Sequence, residues 1–275
     1  MATIMWPLLK GKTAIITGGT TGIGRGIVLE YLRQGCNVAV NHLGLARDEV
    51  HKDSLLREAE IIRRDSQQNE QSPTAGELVE IQGDVTNPEN CSSMVQATVK
   101  RFGKLDVLVA NAGVFKPASF LELKPEVLEQ TVKVNINGTF YACQAAARQM
   151  VEQGHGGSII GISSISALQG GRFQTHYTPT KAGVLSLMQS MAIALGEHQI
   201  RCNALMPGTI RSQLSAEEIN DKARRDRLVA KIPLGRPGEP QDIARPAVFL
   251  AAEQMSGFMT GAGLLVDGGM YSYLQ

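Results

Sequence analysis

Short apolar, β-branched runs recur along this chain, separated by longer stretches whose apolar positions fall three and four residues apart. The runs are Thr13–Thr17 (TAIIT), Asn37–Asn41 (NVAVN), Glu77–Gln82, Leu105–Ala110 (LDVLVA), Gly157–Ser163 (GSIIGIS), Gln199–Leu205 and Leu264–Gly269. Runs of this length and composition predict buried strands. Between them the spacing predicts helices from Arg25 to about Gln34, over Asp53–Arg64, Pro88–Phe102 and Thr131–Met150, from Tyr177 to about His198, and over Asp242–Ala252. Strand and helix alternate throughout, which predicts an α/β fold: one doubly wound parallel sheet of about seven strands with helices on both faces. No internal repeat marks a second domain, so residues 1–275 read as one unit. Residues 211–232, charged and helical in pattern, read as a lid over a substrate. Residues 44–76, polar and ending in the loose stretch SQQNEQSPTAG, read as a crossover without a functional role.

The first strand runs into Gly18-Gly19-Thr20-Thr21-Gly22-Ile23-Gly24 and then a helix opening at Arg25. A strand, a glycine-rich turn and a helix set backbone N–H groups and a positive helix end against a pyrophosphate, the arrangement of Rossmann-like nucleotide-binding folds. Where an NAD-selective protein carries an acid after its second strand, this chain has Asn41-His42, with no acid before Asp48. A 2′-phosphate would meet no repulsion there, and Arg25 and Arg47 are available cations. The lean is toward NADP, or toward use of both NADP and NAD. Asp84, followed by Val85 at the end of the third strand, has the reach for an adenine amino group; capping the next helix is its other reading. Asn111-Ala112-Gly113 lies at the C-terminal edge of the fourth strand, where such sheets bind ligands.

Chemistry concentrates between Ser163 and Lys181. Tyr177 and Lys181 are four apart, on one helical face, and Pro179 confines the start of that helix to about Thr175 or His176. A neighbouring ammonium lowers a phenol's pKa, as does a helix N-terminus. Ser164 can hydrogen-bond the same substrate oxygen, so Ser164, Tyr177 and Lys181 make a device for moving a proton on and off an alcohol or carbonyl oxygen. Ser166, Gln174 and His176 stand close enough in sequence to meet substrate hydroxyls. Asn135, polar within an apolar helix, needs a partner: a water bridge to Lys181 is one reading, capping of a nearby backbone group the other.

Composition narrows the setting. With 275 residues, 43% hydrophobic, the chain can bury one large core, and its net charge of +1 gives no electrostatic argument for nucleic acid or a membrane surface. Cys36, Cys91, Cys143 and Cys202 form no C-x-x-C pair and read as reduced thiols of a cytoplasmic protein. The stretch MATIMWPLLKGK has no leader pattern, no run approaches the roughly 18 apolar residues of a membrane span, and no metal-ligand motif occurs.

Jointly, these residues resemble the short-chain dehydrogenases/reductases, over about Leu9 to Gly269. Thr17–Gly24 is similar to that family's T-G-x-x-x-G-I-G, and Ala110–Gly113 to its N-N-A-G, with Ala110 at the first position. Asn135 is similar to its helix asparagine; Ser164, Tyr177 and Lys181 to its catalytic serine, tyrosine and lysine; Pro207-Gly208 to its late P-G turn. The resemblance implies that Pro207, Gly208, Thr209, Ile210 and Ser212 contact the nicotinamide and phosphates, that Lys181 also anchors the cofactor ribose, and that Asn135 orders a water linking Lys181 to solvent. Within the family, GSIIGISSISALQGG, QTHYTPTKAG, LSLMQS and LLVDGG look most like the sugar 1-dehydrogenases. That implies hydride transfer from C1 of an aldose, L-rhamnose first among them, to NADP or NAD, giving the 1,4-lactone. It also implies a homotetramer packed through Thr131–Met150 and Tyr177–His198. The alternatives are a reductase of ketones or 3-oxoacyl groups using the same residues in reverse, and a nucleotide-sensing protein without catalysis.

Overall fold

A computed structural model describes residues 7–68 and 74–273, apart from the side chain of Arg47. Residues 1–6, and 69–73 of the expected linker, lie outside the described residues. In chain order the elements are β1 (Thr13–Ile16), α1 (Gly22–Arg33), β2 (Asn37–His42), α2 (Glu49–Gln68), β3 (Leu78–Gln82), α3 (Pro88–Phe102), β4 (Val107–Ala110), α4 (Pro125–Val132), α5 (Thr139–Gln153), β5 (Gly157–Ile162), α6 (Thr178–Leu195), β6 (Ile200–Pro207), α7 (Ala216–Asn220), α8 (Lys222–Val229), α9 (Pro240–Ala251), α10 (Glu253–Ser256) and β7 (Gly263–Val266).

The seven strands form one parallel sheet in the order β3-β2-β1-β4-β5-β6-β7, as the alternating pattern predicts. Successive side chains of a strand point to opposite faces, and here each face has its own core. Ala14, Ile16, Val38, Val40, Val107, Val109 and Ile160 pack with α1 and α9. Ile15, Ala39, Leu108, Ala110, Ile159 and Cys202 pack with α3, α5 and α6. Strands covered on both sides carry continuous apolar runs, which is why the central ones are legible as such.

The differences from the sequence reading have local causes. β4 begins at Val107 because Asp106 turns its carboxylate onto the Thr13 N–H at 2.8 Å and toward Lys12 and Lys104. The helix expected over Thr131–Met150 begins earlier, at Pro125, and its α4 and α5 segments are joined by a π-type turn over Lys133–Gly138. α2 extends well beyond Asp53–Arg64, and its polar surface is held by pairs one turn apart, Lys52 with Glu49 and both Arg63 and Arg64 with Glu60. α6 starts at Thr178, so Pro179 occupies its first turn and Tyr177 is its N-cap residue. No helix among the described residues is long and apolar enough to cross a membrane.

α1 and α9 cross closely at Gly26, where a Cβ would stand 2.7 Å from Pro240 Cβ and 3.0 Å from its carbonyl carbon and oxygen. Overpacking a well-filled contact costs roughly 1–3 kcal/mol, and alanine's helix propensity returns at most about 1. Gly26→Ala is therefore expected to lower the denaturant midpoint; an unchanged or higher midpoint would mean that α9 yields without cost.

Candidate active site

β1 and β4 lie side by side at the middle of the sheet, and the chain leaves them in opposite directions. At their C-terminal ends, Thr17 Oγ1 accepts from the N–H groups of Asn111 (2.9 Å) and Ala112 (3.0 Å). Asn111 Nδ2 donates back to the carbonyls of Thr17 (2.9 Å) and Gly18 (3.0 Å). The glycine turn is drawn tight against this knot. Gly18 and Gly22 have φ of +61° and +53°, a left-handed conformation that favours glycine. A Cβ on Gly24 would stand 2.5 Å from both Asn111 Nδ2 and the Gly18 carbonyl oxygen, and one on Gly22 would stand 3.1 Å from Ser212 Cβ. The turn, Asn111-Ala112-Gly113 and the segment after β6 thus meet at one edge.

These features fit a dinucleotide. Thr21, at the N-terminus of α1, makes no side-chain cap bond, and the first turn carries no acid. The leading N–H groups are left for an anion, at the positive end of the helix. Ile23 packs into the core behind the turn. Gly208 N–H donates to the Val266 carbonyl at 3.0 Å, fixing β6 to β7 just after Pro207. The Thr209 carbonyl accepts from Gly238, Ile210 is buried, and Ser212 forms a reciprocal cap with Ser215.

The far end of this crevice departs from expectation at several residues. Arg25 is not free for a phosphate: its guanidinium donates to Glu58 at 2.8 Å, to Ser54 and to the His51 carbonyl. Asn41 faces the neighbouring strand, donating to the Ile81 and Gly83 carbonyls. Asp84 bonds the Thr86 N–H at 2.8 Å, and it is Asn87 that caps α3. Val85 is buried, against Gly138. His42 and Thr20 line a cavity of about 420 Å³ together with Lys52 and Glu49 of α2. Residues 44–76, read as functionally empty, therefore contribute to the site. Arg47's side chain lies outside the described residues.

At the other end, β5 and α6 bring Ser164, Tyr177 and Lys181 together. Lys181 is buried and donates from Nζ to the Ile162 carbonyl at 2.8 Å. Its Nζ stands 5.6 Å from the centroid of the Tyr177 ring. Burial pulls the ammonium down to about 8, so it keeps its proton at neutral pH. Burial also pushes the phenol up, to about 12, with a hydrogen bond from Ser164 acting in the lowering direction. Desolvation thus outweighs the Ser164 hydrogen bond, and the phenol is not made acidic here, contrary to the expectation that Lys181 lowers it. The Asn135 side chain is taken up by partners on the segment after Gly113 and on α6. Its Oδ1 accepts from Val114 N–H at 2.8 Å, and its Nδ2 donates to the Val114 carbonyl and to Thr180 Oγ1. It clamps the segment after Gly113 to α6, the backbone-capping alternative.

Ser166 donates to Gln174 Oε1 at 3.0 Å beside this trio. His176 is 1% exposed, and neither ring nitrogen has a partner. Its ring stacks on Phe115 (centroids 6.1 Å apart), which also packs on Tyr177 at 4.8 Å. Sequence reasoning named Thr17 only as the start of the glycine motif, without its role between the strands, and missed Val114, Phe115 and Lys52. Thr17 sits in an apolar strand and the others in segments without pattern, so only their long-range partners reveal them.

Comparison with known proteins agrees with this geometry. A family model described as Enoyl-(Acyl carrier protein) reductase matches residues 18–271. The chain is 52% identical to the L-rhamnose-1-dehydrogenase of Scheffersomyces stipitis, over 98% of this chain and all of that one. It is 47% identical to the L-rhamnose 1-dehydrogenase (NAD(P)(+)) of a Sphingomonas species, over 98% and 99% of the two chains. A solved short-chain type dehydrogenase/reductase from Mycobacterium ulcerans superimposes with a TM-score of 0.87 at 31% identity, covering 96% of this chain and 91% of that one. Relatives of full length, the shared sheet and the matched family model place it: the chain belongs to the short-chain dehydrogenase/reductase family.

Proposed function

We propose that this protein oxidises L-rhamnose, or a closely related aldose, at C1 to the 1,4-lactone, with either NADP or NAD as hydride acceptor. The observation that carries the reading is the 47–52% identity to L-rhamnose 1-dehydrogenases over nearly the whole chain, combined with the juxtaposition of Ser164, Tyr177 and Lys181.

The nicotinamide supplies the hydride-accepting chemistry. Gly18–Gly24, the open N-terminus of α1, Asn111-Ala112-Gly113 and Pro207–Ser212 would hold the dinucleotide across the crevice. Ser164 holds the C1 hydroxyl and Tyr177 removes its proton. Lys181, charged below about 8 and fixed by the Ile162 carbonyl, holds the cofactor ribose and offsets negative charge on the phenol oxygen as it develops. Asn135 acts through Val114, holding the wall of the crevice beside Lys181. The Ser166–Gln174 pair and the buried His176 offer hydrogen-bonding groups to the sugar hydroxyls. The segment 211–232, carrying the exposed Leu214, closes over the sugar as a lid. We place the enzyme in the cytoplasm, in keeping with its four free buried cysteines. We propose a homotetramer packed through α5 and α6, where Phe140, Val151 and Ile193 are exposed.

A panel of L-rhamnose, L-lyxose, L-mannose and D-glucose, each with NADP and NAD, tests the substrate by absorbance of the reduced cofactor. L-rhamnose is expected to have the highest kcat/KM; preference for a 3-oxoacyl or enoyl substrate, which the family model's description keeps as the second reading, would replace it. Tyr177→Phe is expected to bind cofactor as the wild type does and to lose turnover by about 10² to 10⁴-fold, the scale of acid–base catalysis; retained turnover would remove Tyr177 from its role. The pH dependence follows from sign. A phenol held up at about 12 is protonated at neutral pH, so the ionised fraction that oxidation needs grows as pH rises. Aldose oxidation should climb between about pH 6 and 8, below the range where Lys181 gives up the charge that offsets the phenolate, while the reverse reduction does not. A rate of oxidation flat over that range would mean that Tyr177 is not the base.

A further inference from the structure

The cavity between the glycine turn, the end of β2 and the start of α2 holds an unusual set of groups for its size. Lys52 Nζ lies 2.7 Å from Glu49 Oε1 and 3.8 Å from Glu80 Oε2. His42 Nε2 lies 3.7 Å from Glu80 Oε2, beyond hydrogen-bond distance, and is buried without a partner. Thr20, of the glycine turn, forms the wall nearest the pyrophosphate site, and Asp48 is on the rim. One cation therefore stands among acceptors, beside a buried ring nitrogen without a partner. A buried polar atom without a partner is costly, and a ligand can remove that cost.

Arg25, the cation a sequence reading would choose for a 2′-phosphate, is turned away onto Glu58. Lys52 is the described cation that lines the cavity, its side chain 20% exposed and tethered through a flexible stem. Its ion pair with Glu49, itself 57% exposed, is of the weak, solvent-screened kind, so exchanging that partner is easy.

We propose that Lys52 is the residue that distinguishes the two dinucleotides, and that it does so by changing partners. With a ribose bearing free hydroxyls, Lys52 stays on Glu49, and Glu80 accepts from the 2′-hydroxyl. With a 2′-phosphate, Lys52 leaves Glu49 for the phosphate oxygens, and His42 donates its Nε2–H as the second contact. The same pocket thereby offers acceptors to a diol and donors to a phosphate, which accounts for a site open to both cofactors. The inference rests on the dinucleotide reading of the crevice but not on the choice of sugar.

Calorimetric titration of the wild-type protein, Lys52→Met and Glu49→Gln with NADP+ and NAD+ tests it, with no turnover involved. Lys52→Met should weaken NADP+ by about tenfold or more, the scale of a lost charge-assisted contact, and leave NAD+ within about twofold. Glu49→Gln frees Lys52 and should tighten NADP+ severalfold, more than NAD+. Equal losses for both dinucleotides in Lys52→Met, or no loss for either, would overturn the switch. Should Lys52→Met fold poorly by circular dichroism, Glu49→Gln decides: NADP+ binding no tighter than wild type overturns the proposal. A wild-type protein that binds neither dinucleotide overturns the cofactor reading and the switch with it. One that binds both in this pattern yet oxidises no aldose keeps the switch and loses only the sugar.

Discussion

Four hydrogen bonds between Thr17-Gly18 and Asn111-Ala112, three of them on Thr17, hold the ends of β1 and β4 together. They act at the one place where neighbouring strands send the chain to opposite sides of the sheet, and a crevice opens there for topological reasons. Because this knot draws the two backbones so near, no side chain fits at Gly24, and Gly18 must turn through positive φ. The glycine turn is thus shaped from behind, by packing between strands, as much as from the front by a ligand. Thr17 is buried and polar, and its hydroxyl's two accepted bonds are what make that burial tolerable.

From that edge the site is built outward along the sheet. β5 delivers Ser164 and the Ile162 carbonyl, and α6 returns Lys181 to that carbonyl, so the ammonium is fixed by the strand next to it. The same low-polarity surroundings move the two titrating groups apart, the lysine down and the phenol up. Burial alone therefore leaves Tyr177 a poor base. On the proposed function, the proton chemistry would draw on charges and hydrogen bonds that arrive with the bound partners, and on Ser164, whose hydrogen bond acts to lower the phenol. The π-type turn at Lys133–Gly138 belongs to the same construction: it lies where Asn135 clamps Val114, and irregular turns of this kind concentrate at functional sites.

Charge is sorted by distance rather than by sequence neighbourhood. Arg25 follows the glycine turn directly, yet Glu58, one turn along α2 from Ser54 and 33 positions on from Arg25 in sequence, takes its guanidinium. Lys52, in a stretch without apolar pattern, is carried by the same helix to the mouth of the cavity. A long charged side chain settles on the nearest carboxylate, and which one that is depends on how α1 and α2 cross.

The alternation of buried runs and helical spacing determined the sheet, the sense of its winding and the place of the glycine turn, because those follow from periodicities of two and 3.6 residues and from local backbone freedom. Tyr177, Lys181 and Ser164 were legible because a helix puts i and i+4 on one face and a strand end points at the sheet edge. What only the tertiary structure decided is which polar groups find one another across long sequence separations: Asn135 with Val114, Arg25 with Glu58, His176 with nothing, Lys52 with the cavity. The start of α4 and the extent of α2 belong here too, since polar helices are held by neighbours that no local pattern announces. Hydrogen bonds and burial are properties of places in space, and the chain acquires those places only when its two cores close around the sheet.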